Sequence, residues 1–150
     1  MPGTVVVGIG NIIKRDDGVG VYVVRALEGR VPPGVDLVEG SVYCADMHGC
    51  IENRRKAIFI DGIDAGEEPG AVLRFTPEDM PAKTGGASMS VHDFGLYDLI
   101  RTARLMDRCP GEITIYAVQV KDVETGTELS PEVTAAVEKV CGLVIEELGV

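Results

Sequence analysis

The residues able to do chemistry are few. Two acids stand together at Asp16 and Asp17, a third carboxylate closes an apolar run at Asp61, and His92 opens a segment of helical pattern. Two carboxylates and a neutral imidazole are a credible donor set for a divalent transition metal. Asp17 and Asp61 alone, at close range, could instead share a proton as an aspartic pair, a scheme in which His92 has no part. Each residue also has a plain structural use. An acid at a helix start satisfies orphan N–H groups and opposes the dipole for about 0.3–2 kcal/mol. Asp61 before Gly62 fits an Asx turn, and His92 fits a partly exposed first helical turn. Asp16 is expected to be the cap and Asp17 to face the site; a one-residue shift of the helix start exchanges these roles.

The elements that must position these residues alternate. "TVVVGI" (residues 4–9) is a β-branched apolar run that predicts a buried parallel strand. A helix should begin near Asp16 or Asp17, with Val19, Val23, Ala26 and Leu27 at helical spacing and "RVPPG" stopping it. "VDLVEG" predicts a second strand, a helical segment runs from about Ala45 to Asn53, and "KAIFIDG" forms a third strand ending on Asp61. Asp17 and Asp61 thereby come to the carboxyl ends of strands, where open α/β sheets carry their sites, and His92, opening the helix after the long loop, is expected at the same edge. Ala71 to Phe75 follows a Pro-Gly turn with no room for a crossover helix, so it should be an antiparallel edge strand.

A loop rich in Gly, Pro and Ser then precedes helical periodicity from Phe94 to Met106, and "SVHD" has the spacing of a capping box in which Ser90 caps and His92 lies in the first turn. The positive helix end disfavours an imidazolium there. "EITIYAVQV" alternates as a strand, and the last helix is capped by Ser130 with Pro131 in its first turn. Its expected buried stripe is Val133, Val137, Val140, Cys141, Val144, Ile145 and Leu148. The expected fold is a single α/β domain over residues 1–150: a three-layer α/β/α sandwich on a mostly parallel sheet of about five strands with one antiparallel edge strand.

Several function classes are disfavoured. With a formal charge of -10 and no basic run longer than Arg54-Arg55-Lys56, the chain lacks the cationic surface that nucleic acids require. No apolar stretch reaches the roughly 20 residues of a membrane helix, and the N-terminus has no secretory pattern, so the expected address is cytoplasmic. Cys44, Cys50, Cys109 and Cys141 are too irregularly spaced for a zinc ribbon. Gly8 and Gly10 begin a dinucleotide fingerprint, but Ile13 occupies the position of its third Gly. Ser90 is better explained as a cap than as a nucleophile, and Cys44 has no identifiable partner beyond nearby His48.

Together "GIGNIIKRDDGVG", "FIDGIDAGEEPG" and "SVHDFGL" resemble the hydrogenase maturation endopeptidases, the nickel-dependent processing proteases of nickel-iron hydrogenase large subunits. The likeness runs over nearly the whole chain in the same order. It implies a three-layer α/β/α fold and removal of a C-terminal extension from a large-subunit precursor after nickel loading, with Asp17, Asp61 and His92 matching the family's metal ligands. Several members have Glu at the position of Asp17. The implied metal is Ni(2+) supplied by the precursor, and the expected partner is that nickel-loaded precursor; the assembly is expected to be a monomer or weak homo-oligomer. The chain departs from the family's Gly-Thr-x-Gly turn at "GSVYCADMHG", where Val42 and Cys44 replace Thr and Gly. Two other functions share these features: a non-hydrolytic nickel-binding or chaperone domain, and a peptidyl-tRNA hydrolase-like enzyme, which also has a Gly-x-Gly-Asn turn.

Overall fold

The computed structural model describes residues 3–40, 48–79 and 91–149, and of residues 48 and 91–95 it describes the backbone only. Strands β1 (Thr4–Gly8), β2 (Val35–Glu39), β3 (Lys56–Ile63), β4 (Val72–Phe75) and β5 (Glu112–Gln119) form one sheet in the order β2-β1-β3-β5-β4. The four longer strands are parallel and β4 runs antiparallel to β5 at the edge, pairing Val72 with Val118 and Phe75 with Ile115. The helices are α1 (Val19–Ala26), α2 (His48–Ile51), α3 (Val91–Leu105) and α4 (Pro131–Glu147). This is the three-layer sandwich expected from the alternating pattern.

Strand periodicity divides the core between two faces. Val5, Val7, Ala57, Phe59, Ile113 and Ile115 pack with Ile51 of α2 and with Leu96, Leu99, Ile100 and Ala103 of α3. The alternate residues Val6, Ile58, Ile60, Tyr116 and Val118 pack with Val19, Val23 and Val24 of α1 and Val133, Val140 and Val144 of α4. Residues two apart share a face of a strand, so each central strand supplies both clusters. Ala136 replaces Val137 in the fully buried stripe of α4, while Val137, Ile145 and Leu148 are only partly buried.

Several expectations shift in detail. Strand β5 is buried along nearly its whole length because it lies inside the sheet, so the period-2 exposure that its sequence suggests is absent. β4 starts at Val72 rather than Ala71, and α1 is preceded by a 3-10 turn over Arg15–Gly18. Within the described residues the second helix covers His48–Ile51, ending before Asn53, and the third covers Val91–Leu105. The cap at Ser90 and the Val42 and Cys44 departure lie outside the described residues. Cys50, Cys109 and Cys141 are free thiols, the last of them buried.

Candidate functional site

Strand order fixes where a site can form. From β1 the chain passes to β2 on one side, then returns to form β3 on the other, so the crevice at the carboxyl ends of β1 and β3 is the topological switch point. Asp17 and Asp61 flank it. β3 outruns β1: Gly8 pairs with Ile60 and Asp61 stands one residue beyond. It belongs to the strand rather than to a turn after it, is 1% exposed, and its Oδ1 accepts the Gly62 N–H at 2.8 Å.

The loop after β1 doubles back closely onto the strands. Gly10 has φ +147, and a Cβ there would lie 2.0 Å from the Asp17 carbonyl oxygen, so only Gly lets the loop approach the turn. A Cβ at Gly20 would meet the Ile60 carbonyl oxygen at 2.2 Å, which makes Gly the residue that lets α1 sit on β3. The 3-10 turn itself lies over the end of β3: a Cβ at Gly62 would reach within 3.3 Å of the Asp16 carbonyl oxygen. The half-buried Asp17 accepts the Asn11 N–H on Oδ2 at 3.1 Å and donates its own N–H to the Lys14 carbonyl. The Asn11 side chain in turn accepts the Ile13 N–H at 3.1 Å.

Asp16 takes a different role from the one expected. Asp16 caps nothing in its own turn, which has no side-chain cap, and its side chain is completely buried. Oδ2 accepts the N–H groups of Lys121 and Asp122, each at 2.9 Å, and the Ser130 hydroxyl at 2.8 Å; Oδ1 accepts the Ser130 N–H at 2.7 Å. Burial pushes this carboxyl up, but the four hydrogen bonds outweigh it and hold Asp16 below the ordinary carboxylate value. Ser130 occupies the N-cap position of α4 without making the expected side-chain cap, because its hydroxyl is turned to Asp16. Asp16 thus serves α4 as the distant counterpart of a capping-box acid.

The exit from β3 is organised by Gln119, which sequence patterning did not single out. Its buried amide accepts the N–H groups of Ala65 and Glu67 and donates to Asp64 Oδ1 and the Val120 carbonyl, ordering the loop that follows Ile63. A Gln ending an apolar strand was the available signal, since a polar residue in a buried strand must find internal partners.

His92 lies on α3, next to the first described residue of that helix; its ring and the expected cap at Ser90 are outside the described residues. Among the described residues no three His, Cys, Asp or Glu side chains form a metal-holding group. What the described geometry does bring together is the turn bearing Asp17 and the end of the strand bearing Asp61.

The family model described as HycI, hydrogenase maturation protease, matches residues 21–147. The chain is 32% identical over 146 residues to the hydrogenase expression/formation protein HupD of Rhodobacter capsulatus, an alignment covering 95% of this chain and 70% of that protein. It is 31% identical over 136 residues to the hydrogenase 2 maturation protease of Escherichia coli, covering 89% and 82% of the two chains. The solved hydrogenase maturating endopeptidase HybD from E. coli superposes with a TM-score of 0.86 at 28% identity, covering 97% of this chain and 91% of that one.

Proposed function

Because the chain belongs to the hydrogenase maturation protease family, we propose that it is the endopeptidase that removes the C-terminal extension of a nickel-iron hydrogenase large-subunit precursor after nickel loading. In this reading the nickel arrives with the precursor, and Asp17, Asp61 and His92 are the side chains that meet it. The observation that carries the proposal is the placement of the Asp17 turn on the end of β3, beside Asp61, at the switch point of the sheet.

Metal held between precursor and protease supplies a Lewis acid for the scissile carbonyl or for an attacking water. The chain's own part is to present oxygen donors at fixed positions. Asn11 orients the Asp17 carboxylate through its backbone N–H, and the Gly62 N–H does the same for Asp61. Dependence on a metal seated in the substrate makes completed loading the condition for cutting.

The test is to incubate the purified protein with nickel-loaded and nickel-free precursor and weigh the products. Shortening of the loaded precursor alone is expected. Equal cleavage of both would refute metal recognition, and an unshortened loaded precursor would refute the peptidase role, leaving the non-hydrolytic nickel-binding function.

A further inference from the structure

We propose that Asp16 is the positioning residue of this site: a buried carboxylate that fastens the turn carrying Asp17 to the connection between β5 and α4, and so fixes Asp17 at the crevice. Its functional meaning rests on the proteolytic reading above; its structural meaning rests on the hydrogen bonds alone.

Asp16 joins two segments remote from one another in sequence, its own turn and the β5–α4 connection, at two points of the latter. Its carboxylate takes four donors from residues 121, 122 and 130, and its own N–H donates to the Asp122 carbonyl at 3.0 Å. Neighbouring bonds run between the same segments. Arg15 N–H donates to the Gly126 carbonyl, Gly126 N–H to the Ile13 carbonyl, and Arg15 Nε pairs with Asp122 at 3.3 Å. Further along α1, the Tyr22 hydroxyl donates to the Thr127 carbonyl.

A 3-10 turn advances by about 120° per residue, so adjacent side chains leave it in different directions. Asp16 points inward to the β5–α4 connection, while Asp17 points to the Asn11 N–H at the β1 end. Holding the first therefore sets the main chain from which the second projects. All four donors on Asp16 are neutral and three belong to the backbone, so a slip of the turn breaks several bonds together. Such stiffness matches a reaction in which a displacement of about 1 Å costs on the order of 100-fold in rate.

The test uses the full chain and nickel-loaded precursor. Asp16→Asn places an amide N–H among four donors, and it is expected to lower kcat by about 10- to 100-fold with KM held within about twofold. Ser130→Ala, which keeps the three backbone donors, should lower kcat by about two- to fivefold. In Asp16→Asn, amide hydrogen exchange should quicken in residues 15–18 and 121–130 together, while β1 and β3 keep their protection. Wild-type kcat in folded Asp16→Asn, or faster exchange confined to residues 121–130, would overturn the proposal. Should Asp16→Asn not fold, Ser130→Ala decides, and unchanged kcat and exchange in it would overturn the proposal equally. A wild-type protein that cuts no loaded precursor counts against the proteolytic reading alone, and the exchange pattern still settles whether Asp16 holds the turn.

Discussion

Asp16 at the carboxyl end of the sheet is buried and Glu147 at the amino end is largely buried, and the two are held in opposite ways. At the carboxyl end, Asp16 sits among neutral donors, three of them backbone N–H groups of the β5–α4 connection, more than a hundred residues away in sequence. At the amino end Glu147, near the end of α4, meets side chains: the Lys56 ammonium at 2.9 Å, the Thr114 hydroxyl at 2.7 Å, the Tyr116 hydroxyl, and Arg74 at 3.5 Å. Burial pushes both carboxyls up, and hydrogen bonding brings both below their ordinary values; at Glu147 the partners are Tyr116, Thr114 and Lys56, whose charge also helps. Backbone donors exist in that arrangement only when the segments are already in register. Side-chain donors can rotate and re-form around a displaced acid. The first arrangement fixes main-chain position beside the candidate site, whereas the second ties the end of α4 to β3, β4 and β5 and supplies cohesion.

If position and cohesion are divided in this way, activity and stability should respond separately at the two ends. The largest effect is expected from Asp17→Asn, which keeps an acceptor for the Asn11 N–H but removes the charge. Processing of loaded precursor, followed by intact mass, should fall by at least about 100-fold, the lower range for loss of an acid, base or ligand group. Its thermal midpoint should stay within about 1–2 °C of wild type, the shift that about 0.5 kcal/mol produces in a domain of this size. Glu147→Ala should do the reverse. It leaves the Lys56 ammonium and two hydroxyls without their buried acceptor, at a cost of about 2–3 kcal/mol in urea titrations, while kcat per folded molecule stays at the wild-type value. Loss of activity in folded Glu147→Ala would erase the proposed division.

The sequence exposed one end of the molecule more readily than the other. The parallel strands, the antiparallel edge strand and the terminal helix were legible because β-branched runs, a Pro-Gly turn and a 3.6-residue stripe are local signals. Asp61 near the carboxyl end of β3 followed from the apolar run of that strand, although β3 continues past Asp61 to Ile63, and Asp17 on the adjoining turn followed from the same reasoning. The division of labour between Asp16 and Asp17 was only half legible. Asp16 is satisfied by residues more than a hundred positions away, and no local spacing distinguishes a cap from a long-range acceptor. Ser130 carries the mirror image of that problem: its position at the helix start is local, but the direction of its hydroxyl is tertiary. The Glu147 cluster was equally hidden, since a Glu in the last turn of an amphipathic helix reads as a solvated residue until Lys56, Thr114 and Tyr116 are brought to it by the sheet.

The smallest effect separates the two ends by pH. Both lowered carboxyls act in the same direction: their stabilisation is complete above the unfolded carboxylate values of 3.8 and 4.5 and is lost as pH falls through the lower folded values. The amino end has a second, alkaline limb. Burial, followed by the hydrogen bond to Glu147, pushes the Tyr116 hydroxyl from 10.0 up to about 12. Stability from a neutral Tyr116 is therefore fully present below pH 10 and declines as pH rises toward about 12, by up to roughly 2–3 kcal/mol. Tyr116→Phe removes one donor from Glu147 and should cost only about 1 kcal/mol at neutral pH. Its difference from wild type should then shrink and change sign between pH 10 and 12, because the phenylalanine has no proton to lose. Denaturant midpoints measured across that interval for both proteins give the comparison directly. Parallel curves would mean that the hydroxyl is not confined by Glu147, and the amino end would then owe its cohesion to Lys56 and Thr114 alone.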